Sequence, residues 1–187
     1  MKHPPIPDNE PERLQALEET GLLDTAPEAR FDRLTRLASQ ALGIPVALVS
    51  LVDEQRQWFK SAVGLEVRET GRDISFCGHA IHSDDIMVIT DARLDPRFEG
   101  NPLLTGDKPV IFYAGAPLHS PEGHRLGTLC VIDHAPRRFG KREEGILRDI
   151  ADCVEQEIRS REVSTLYREV LESERRSRAV IEGTRVG

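Results

Sequence analysis

A thiol and two imidazoles lie within six residues of one another, at Cys77, His79 and His82, and a further thiol, Cys130, follows in a later apolar run. Such groups bind zinc, and a pair of thiols can also perform redox chemistry. If the first segment is helical, Cys77 and Ile81 share one face and the two histidines share another, because residues on one helix face are three or four positions apart. The chain has no CxxC or HxxxH spacing that would supply further ligands. We therefore expect a packed cysteine and half-exposed histidines rather than a metal site, and we predict no catalytic residue.

Aromatic and charged side chains elsewhere could line a pocket for a small ligand. Phe76, Phe98 and Tyr113 could stack on a ring, although each is also an ordinary core residue. Asp91 and Arg97 lie in a long loop, where they could meet a polar ligand or simply tie the loop by ion pairs and caps. The sequence does not identify a cofactor. The candidate ligand-binding residues are Phe76, Cys77, His79, His82, Asp91, Arg97, Phe98, Tyr113 and Cys130.

Helical periodicity predicts four helices around these residues. The first covers residues 12–20, and the third is a short helix that opens at Ser75. Thr25 and Glu28 have the spacing of a capping box and predict the start of the second helix, with an apolar face at Phe31, Leu34, Leu37, Ala38 and Ala41. The fourth covers residues 141–182, with an apolar stripe at Leu147, Ile150, Ala151, Val154 and Ile158 and with Cys153 expected in the core beside it.

Short apolar runs rich in β-branched residues predict five strands. Residues 46–52 and 57–63 form a hairpin around a four-residue turn, and residues 87–89 form a short strand. A second hairpin joins residues 110–118 to residues 126–133. Trp58 is expected to pack on one face of the resulting sheet.

Composition excludes several classes of function. A net charge of −7 and a pI near 5.4 argue against DNA or RNA as a partner, because nucleic-acid binders carry a clustered basic excess. The apolar runs are far shorter than the roughly 20 residues that a bilayer requires, so no membrane contact is expected. Three cysteines without close pairing fit a reducing compartment, which predicts the cytoplasm. Residues 1–11 are polar and proline-rich and are interpreted as a flexible leader.

The last predicted helix is longer than one small domain can cover, since residues 141–182 would extend on the order of 60 Å. Its second half is densely charged, with a seam of apolar residues at Val163, Leu166, Val170 and Leu171. We interpret this half as a projecting helix that pairs with a second copy of the chain. The imperfect heptads leave a single solvated helix as the alternative.

Five motifs in this order resemble a bacterial subfamily of GAF domains. They are residues 47–53 (ALVSLVD), 56–61 (RQWFKS), 74–81 (ISFCGHAI), 113–118 (YAGAPL) and 126–133 (LGTLCVID). The resemblance implies an α+β fold, an α/β sandwich in which a central antiparallel sheet of five to six strands has the N- and C-terminal helices on one face. Loops and short helices would cover a small cavity on the other face, and a long signalling helix would follow.

The tail, residues 173–187 (SERRSRAVIEGTRVG), is similar to the linker and first residues of a PAS domain. The predicted organisation is thus a leader at residues 1–11, a GAF domain at 12–160, and a signalling helix and linker at 161–187. Domains of this type commonly precede a histidine kinase or a diguanylate cyclase. The resemblance therefore implies an output activity in a part that follows this chain.

The resemblance implies a cytoplasmic sensory domain, not an enzyme, that binds a small molecule or relays a signal through a homodimer formed by the N- and C-terminal helices. A ligand-free dimerisation module is the alternative. Free methionine-sulfoxide reductases also have the GAF fold, but their catalytic loop corresponds to residues 104–109, which contain no cysteine. Bilin-binding relatives often carry a Cys-His pair, which Gly78 interrupts here between Cys77 and His79.

Overall fold

The structure is a computed structural model that describes the backbone of residues 1–183 and the side chains of residues 1–177. Its helices are α1 (Glu10–Glu19), α2 (Ala29–Leu42), α3 (Phe76–Ala80) and α4 (Lys141–Gly183). Its strands are β1 (Val46–Val52), β2 (Arg56–Val63), β3 (Glu69–Gly71), β4 (Met87–Ile89), β5 (Phe112–His119) and β6 (Arg125–Asp133). The six strands form one antiparallel sheet in the order β3-β2-β1-β6-β5-β4, which confirms the predicted α+β class.

Both faces of the sheet are covered, which explains why its central strands read as continuous apolar runs. In β1, Ala47, Val49 and Leu51 pack against α1, α2 and α4, whereas Val46 and Leu48 face the opposite side. That side is covered by α3 and by the loop between β4 and β5. Alternation along a strand sends successive side chains to opposite faces, so one buried strand contributes to both cores.

The start and the buried face of α2 differ from the prediction. Glu28 is the N-cap residue, and no side chain caps the helix, because the Thr25 hydroxyl instead donates to the Leu22 carbonyl and accepts from Lys60. Leu37 is 48% exposed, and Thr35 takes its place in the interface, where its hydroxyl lies 2.8 Å from that of Ser61. The fully buried residues of the helix are thus Phe31, Thr35 and Ala38. Leu34 is partly buried against the same core, as predicted, whereas Ala41 is exposed.

Two further predictions need correction. Strand β3 was not expected, because its three residues are too few and too polar to give a periodic signal. Cys153 is exposed rather than in the core, because it lies one position away from the buried stripe of α4, a rotation of about 100° around the helix.

The two ends of the chain lie against the domain in different ways. Residues 1–9 run over α3, where the Lys2 amide donates to the Arg97 carbonyl and Pro4 is buried. At the other end, α4 is buried on the sheet as far as Ile158 and then continues with an exposed surface. The domain boundaries and the resemblance of the tail to PAS stay predictions. Residues 184–187 of that tail lie outside the described part.

The described residues contain no helix that is both long enough and apolar enough to cross a membrane.

Candidate functional site

A cavity of about 160 Å³ lies between the sheet and its cover of α3 and loop residues 102–110. Its wall is mostly apolar, with polar groups contributed by Gln57, Thr70, Thr105, Lys108 and His134. The remaining lining residues are Val46, Leu48, Phe59, Leu65, Val67, Phe76, Cys77, Pro102, Leu103, Val110, Tyr113 and Ile132. A largely apolar wall with a few polar groups is the usual composition of a small-molecule site.

Helix α3 brings Phe76 and Cys77 to the cavity wall because Ser75 fixes where the helix begins. The Ser75 hydroxyl accepts from the Gly78 amide at 3.0 Å and donates to the Arg72 carbonyl at 2.8 Å, so it satisfies a backbone donor that a helix start leaves free. Gly78 is required at its position, since a Cβ there would lie 2.5 Å from the Ser75 hydroxyl and 2.9 Å from Pro4. The predicted opening of this helix at Ser75 is confirmed.

Two buried thiols meet at one wall of the cavity. The sulfurs of Cys77, from α3, and Cys130, from β6, are 3.9 Å apart. The hydroxyls of Tyr113 and Thr128 lie 3.4 Å and 3.3 Å from the Cys77 sulfur, within donating distance. Gly115 makes this arrangement possible, because a Cβ at that position would overlap the Tyr113 hydroxyl.

The electrostatics of this pair favour a thiolate at Cys77. The hydrogen bond from the Cys130 thiol, helped by the hydroxyls of Ser50, Thr128 and Tyr113, outweighs burial and lowers the pKa of Cys77 to about 6. The same hydrogen bond, together with burial and the charge on Cys77, raises the pKa of Cys130 well above its ordinary value. The proton of the Cys130 thiol is therefore held more tightly than that of the Cys77 thiol.

The other predicted aromatic residue, Phe98, lies behind the cavity wall. Its ring stacks on Phe76 at a centroid distance of 3.9 Å, and Phe76 is in turn 5.3 Å from Tyr113. Phe98 thus supports a wall residue without reaching the cavity.

His79 of α3 and His82, two residues after its end, face away from the cavity, toward the N-terminal segment. His79 Nε2 lies 3.2 Å from the Lys2 carbonyl and His82 Nε2 lies 2.8 Å from the Pro5 carbonyl, so each can donate to that segment. Burial lowers the pKa of His79, which favours this neutral, donating form. Within the part of the chain that the structure describes, no three His, Cys, Asp or Glu side chains are grouped to hold a metal ion.

Asp91 and Arg97 tie their loop together instead of lining the cavity. The Asp91 carboxylate accepts from the backbone amide and the guanidinium of Arg93, and Arg97 pairs with Asp95 at 2.6 Å. Of the nine candidate residues, Phe76, Cys77 and Tyr113 line the cavity and Cys130 contacts Cys77.

The sequence prediction missed the polar lining. Alternation along β2 could have placed Gln57 on the same face as Phe59, because the two are two positions apart. Nothing in the sequence connects Lys108 and His134, which lie on separate segments and meet only in the folded chain.

Comparison with known proteins identifies the family and the fold. The family model described as GAF domain matches residues 26–158, so the chain belongs to the GAF domain family, a family of sensory domains. The chain is also 41% identical over 155 residues to a cyclic di-GMP phosphodiesterase of Pseudomonas aeruginosa, an alignment that covers 82% of this chain. It spans only 26% of that protein's length.

Solved structures with the same fold include proteins with different activities. The GAF domain of a phosphoenolpyruvate-protein phosphotransferase from Coxiella burnetii superposes with a TM-score of 0.61 at 18% identity, covering 82% of this chain and 96% of that one. A free methionine-R-sulfoxide reductase from Neisseria meningitidis gives a TM-score of 0.60 at 15% identity, covering 88% and 98%. At such identities the similarity shows the fold alone.

Proposed function

We propose that this GAF domain is a regulatory input domain that binds a small, mostly apolar molecule in the cavity beside α3 and controls an output domain of cyclic di-GMP turnover. The observation that carries the proposal is the cavity itself, which is lined by apolar side chains with a few polar groups. The phosphodiesterase relative supports the choice of output, since it contains a similar segment within a much longer chain. In this proposal the chain itself regulates and does not catalyse.

The size of the cavity limits the ligand. Its volume of about 160 Å³ is close to that of an engineered cavity of about 150 Å³ that holds benzene. A ligand of about one ring would fill it, whereas a cyclic nucleotide would require the cover to open. Gln57 and Thr70 offer hydrogen bonds to a polar group on such a ligand, and Lys108 and His134 would favour an anionic one.

A chain of ion pairs links the cavity strand to α4. Phe59 lines the cavity, and the next residue, Lys60, projects to the helix side of the sheet. There the Lys60 ammonium lies 2.6 Å from the Glu28 carboxylate, which also accepts from Arg161 of α4 at 2.6 Å. A ligand that favours one position of β2 would therefore bias the anchoring of α4, provided that it interacts differently with the two states.

The exposed part of α4 supplies the proposed connection to the output domain. Val163, Leu166, Tyr167 and Val170 are exposed at the i, i+3, i+4 and i+7 spacing of a helix-pairing seam. We propose that two copies of the chain pair through this seam and that the N-terminal helix contributes to the same homodimer. The signal would pass as a change in the geometry of the paired helices.

A ligand-free dimerisation domain is the second candidate. It is favoured by the small size of the cavity, which is below the roughly 300–1,000 Å³ that is usual for ligand pockets. In that case the domain would hold nothing in the cavity and would serve as a spacer.

Native mass spectrometry of freshly purified protein distinguishes the two candidates. We expect the wild-type chain to retain a molecule of about one ring, and we expect Val110→Phe to lose it because the larger side chain fills the cavity. Leu94→Phe, on a side chain that is exposed in the same loop, is the matched control and should retain the molecule. A wild-type mass equal to that of the bare polypeptide, with no small molecule released on denaturation, would contradict ligand binding and support the spacer.

A further inference from the structure

The two thiols beside the cavity form an arrangement that ligand binding does not use. Cys77 and Cys130 are 3% and 0% exposed, and their sulfurs face one another at 3.9 Å. We propose that this pair is a peroxide-sensitive dithiol, in which Cys77 is oxidised from the cavity and Cys130 then closes an intramolecular disulfide. The inference requires the cavity to be empty when the oxidant enters, and it does not depend on which ligand the cavity takes.

Access to the pair is unequal. Cys77 contributes to the cavity wall and Cys130 does not, so an oxidant that enters the cavity meets the Cys77 sulfur first. Hydrogen peroxide is small enough for a cavity of about 160 Å³, whereas oxidised glutathione is not. The cavity thus selects for a small hydroperoxide as the oxidant.

The groups around Cys77 favour the reactive thiolate. The Tyr113 and Thr128 hydroxyls can both donate to the Cys77 sulfur, which stabilises a negative charge there. The lowered pKa of Cys77 agrees with this geometry. Thiolates, not thiols, attack peroxides, so Cys77 is the residue to react first.

The chemistry balances with the peroxide as the two-electron oxidant. The Cys77 thiolate attacks one peroxide oxygen, the O–O bond breaks, and hydroxide leaves and takes a proton, which gives a sulfenic acid at Cys77 and one water. The Cys130 sulfur then gives up its proton and attacks the Cys77 sulfur, so that the S–S bond forms and the S–O bond breaks with loss of a second water. Two thiols and one hydrogen peroxide thus yield one disulfide and two waters.

The required movement is small. A disulfide needs a sulfur separation of about 2 Å, so the two sulfurs must approach by roughly 2 Å from the observed 3.9 Å. Helix α3 has only five residues and borders the cavity, which leaves room for a shift toward the sheet. Closing the bond would tie α3 to β6, whose Leu129 and Val131 contribute to the core on the helix side.

The test uses the whole chain with Cys153→Ser, because Cys153 is exposed and would react by itself. After hydrogen peroxide treatment we expect its intact mass to fall by about 2 Da, and we expect a reducing agent to restore the mass. Peptide mapping without reduction should recover Cys77 joined to Cys130 within one chain. These measurements need no substitution at the pair.

A second variant separates the two steps. In Cys130→Ala with Cys153→Ser, the sulfenic acid at Cys77 has no partner thiol, so a mass gain of about 16 Da that a carbon nucleophile traps is expected. Cys77→Ala with Cys153→Ser should gain no such adduct at Cys130.

The proposal is overturned if both thiols persist in the Cys153→Ser chain at a peroxide concentration that oxidises Cys153 in the wild type. It is also overturned if Cys77 gains two oxygens without a cross-link, or if the cross-link joins different chains.

Discussion

Individual buried charges hold the parts of this domain together. Arg13, Lys60 and Arg72 are all buried, and each pairs with a glutamate at the start of a helix. Glu10 pairs with two of these cations, since its carboxylate accepts hydrogen bonds from both Arg13 and Arg72. A buried cation that loses its partner strongly destabilises the folded protein. We therefore expect a single substitution at either glutamate to lower the free energy of unfolding.

At this scale we predict that Glu10→Gln destabilises the domain by about 2 kcal/mol at neutral pH, a typical magnitude for hydrogen bonds to charged groups. Burial raises the pKa of Glu10, but the hydrogen bonds and charges of Arg13 and Arg72 outweigh it and lower the pKa to about 2. Because the folded pKa is depressed, the stabilisation is complete above the ordinary value of 4.5 and is lost as pH falls toward 2. Urea denaturation of both proteins between pH 7 and pH 3 measures this.

Glu12→Gln is the matched control for this prediction. Glu12 is exposed on the same helix and makes no ion pair among the described residues. A difference between wild type and Glu10→Gln that stays constant from pH 7 to pH 3 would show that the carboxylate charge is not the cause.

At the scale of elements, the sheet face that borders the cavity is partly covered by α3, a helix too short to be stable alone. Helix α3 has five residues, and it is held by the Ser75 cap, by the packing of Phe76 and Cys77, and by the N-terminal segment, which contacts His79 and the following His82. An isolated helix of this length does not form in water, because nucleation costs more than a few hydrogen bonds return. The order of the cavity wall therefore depends on these contacts.

We predict that Ser75→Ala loosens α3 and lowers stability by about 1 kcal/mol, the usual cost of a lost N-cap. Amide exchange of residues 76–81 should accelerate, because the Gly78 amide loses its acceptor. Ser83→Ala, just beyond the helix, removes an exposed hydroxyl that bonds only to Asp85, so it should leave the exchange of residues 76–81 unchanged. Exchange in 76–81 that is as slow in Ser75→Ala as in wild type would rule out the cap as the organising contact.

At the scale of the whole molecule, the cavity and the long helix α4 lie on opposite faces of the sheet. Helix α4 has 43 residues, a length of about 65 Å, yet its buried stripe ends at Ile158. Beyond that point Leu166 and Val170 are 61% and 56% exposed. Exposed apolar side chains in a row are an interaction surface, and a second α4 offers a surface of the same kind.

We therefore predict that the chain is a dimer in sedimentation experiments and that Leu166→Glu with Val170→Glu makes it a monomer. The two carboxylates would be buried in the seam of a pair, where charge is costly. The thermal transition of the domain should persist, since this part of α4 lies beyond the buried stripe.

Arg168→Glu changes the net charge by the same amount and lies on the other side of the helix, so it should remain a dimer. If the double variant sediments like wild type, or if Arg168→Glu dissociates equally, the seam is not the dimer interface.

Much of the fold follows from local patterns. The two hairpins, the capped start of α3 and the continuous helix α4 were predicted, because each depends on a period of two or 3.6 and on a turn or cap within a few residues. The face of α2 was only partly right, because the choice between Leu37 and Thr35 depends on the angle at which the helix crosses the sheet. Cys153 was misplaced for the same reason, since a stripe on a helix does not specify how wide its contact will be.

By itself, the sequence determined the family, the order of the elements and the opposite faces of Cys77 and the histidines, because these depend on residue types and short spacings. Only the tertiary structure decided that Cys77 meets Cys130, that Lys108 and His134 share a cavity wall and that Asp91 and Arg97 do not. The physical reason is that such contacts join residues far apart in the chain. Their distances are set by how α3 and its loop pack on the sheet, which no local period encodes.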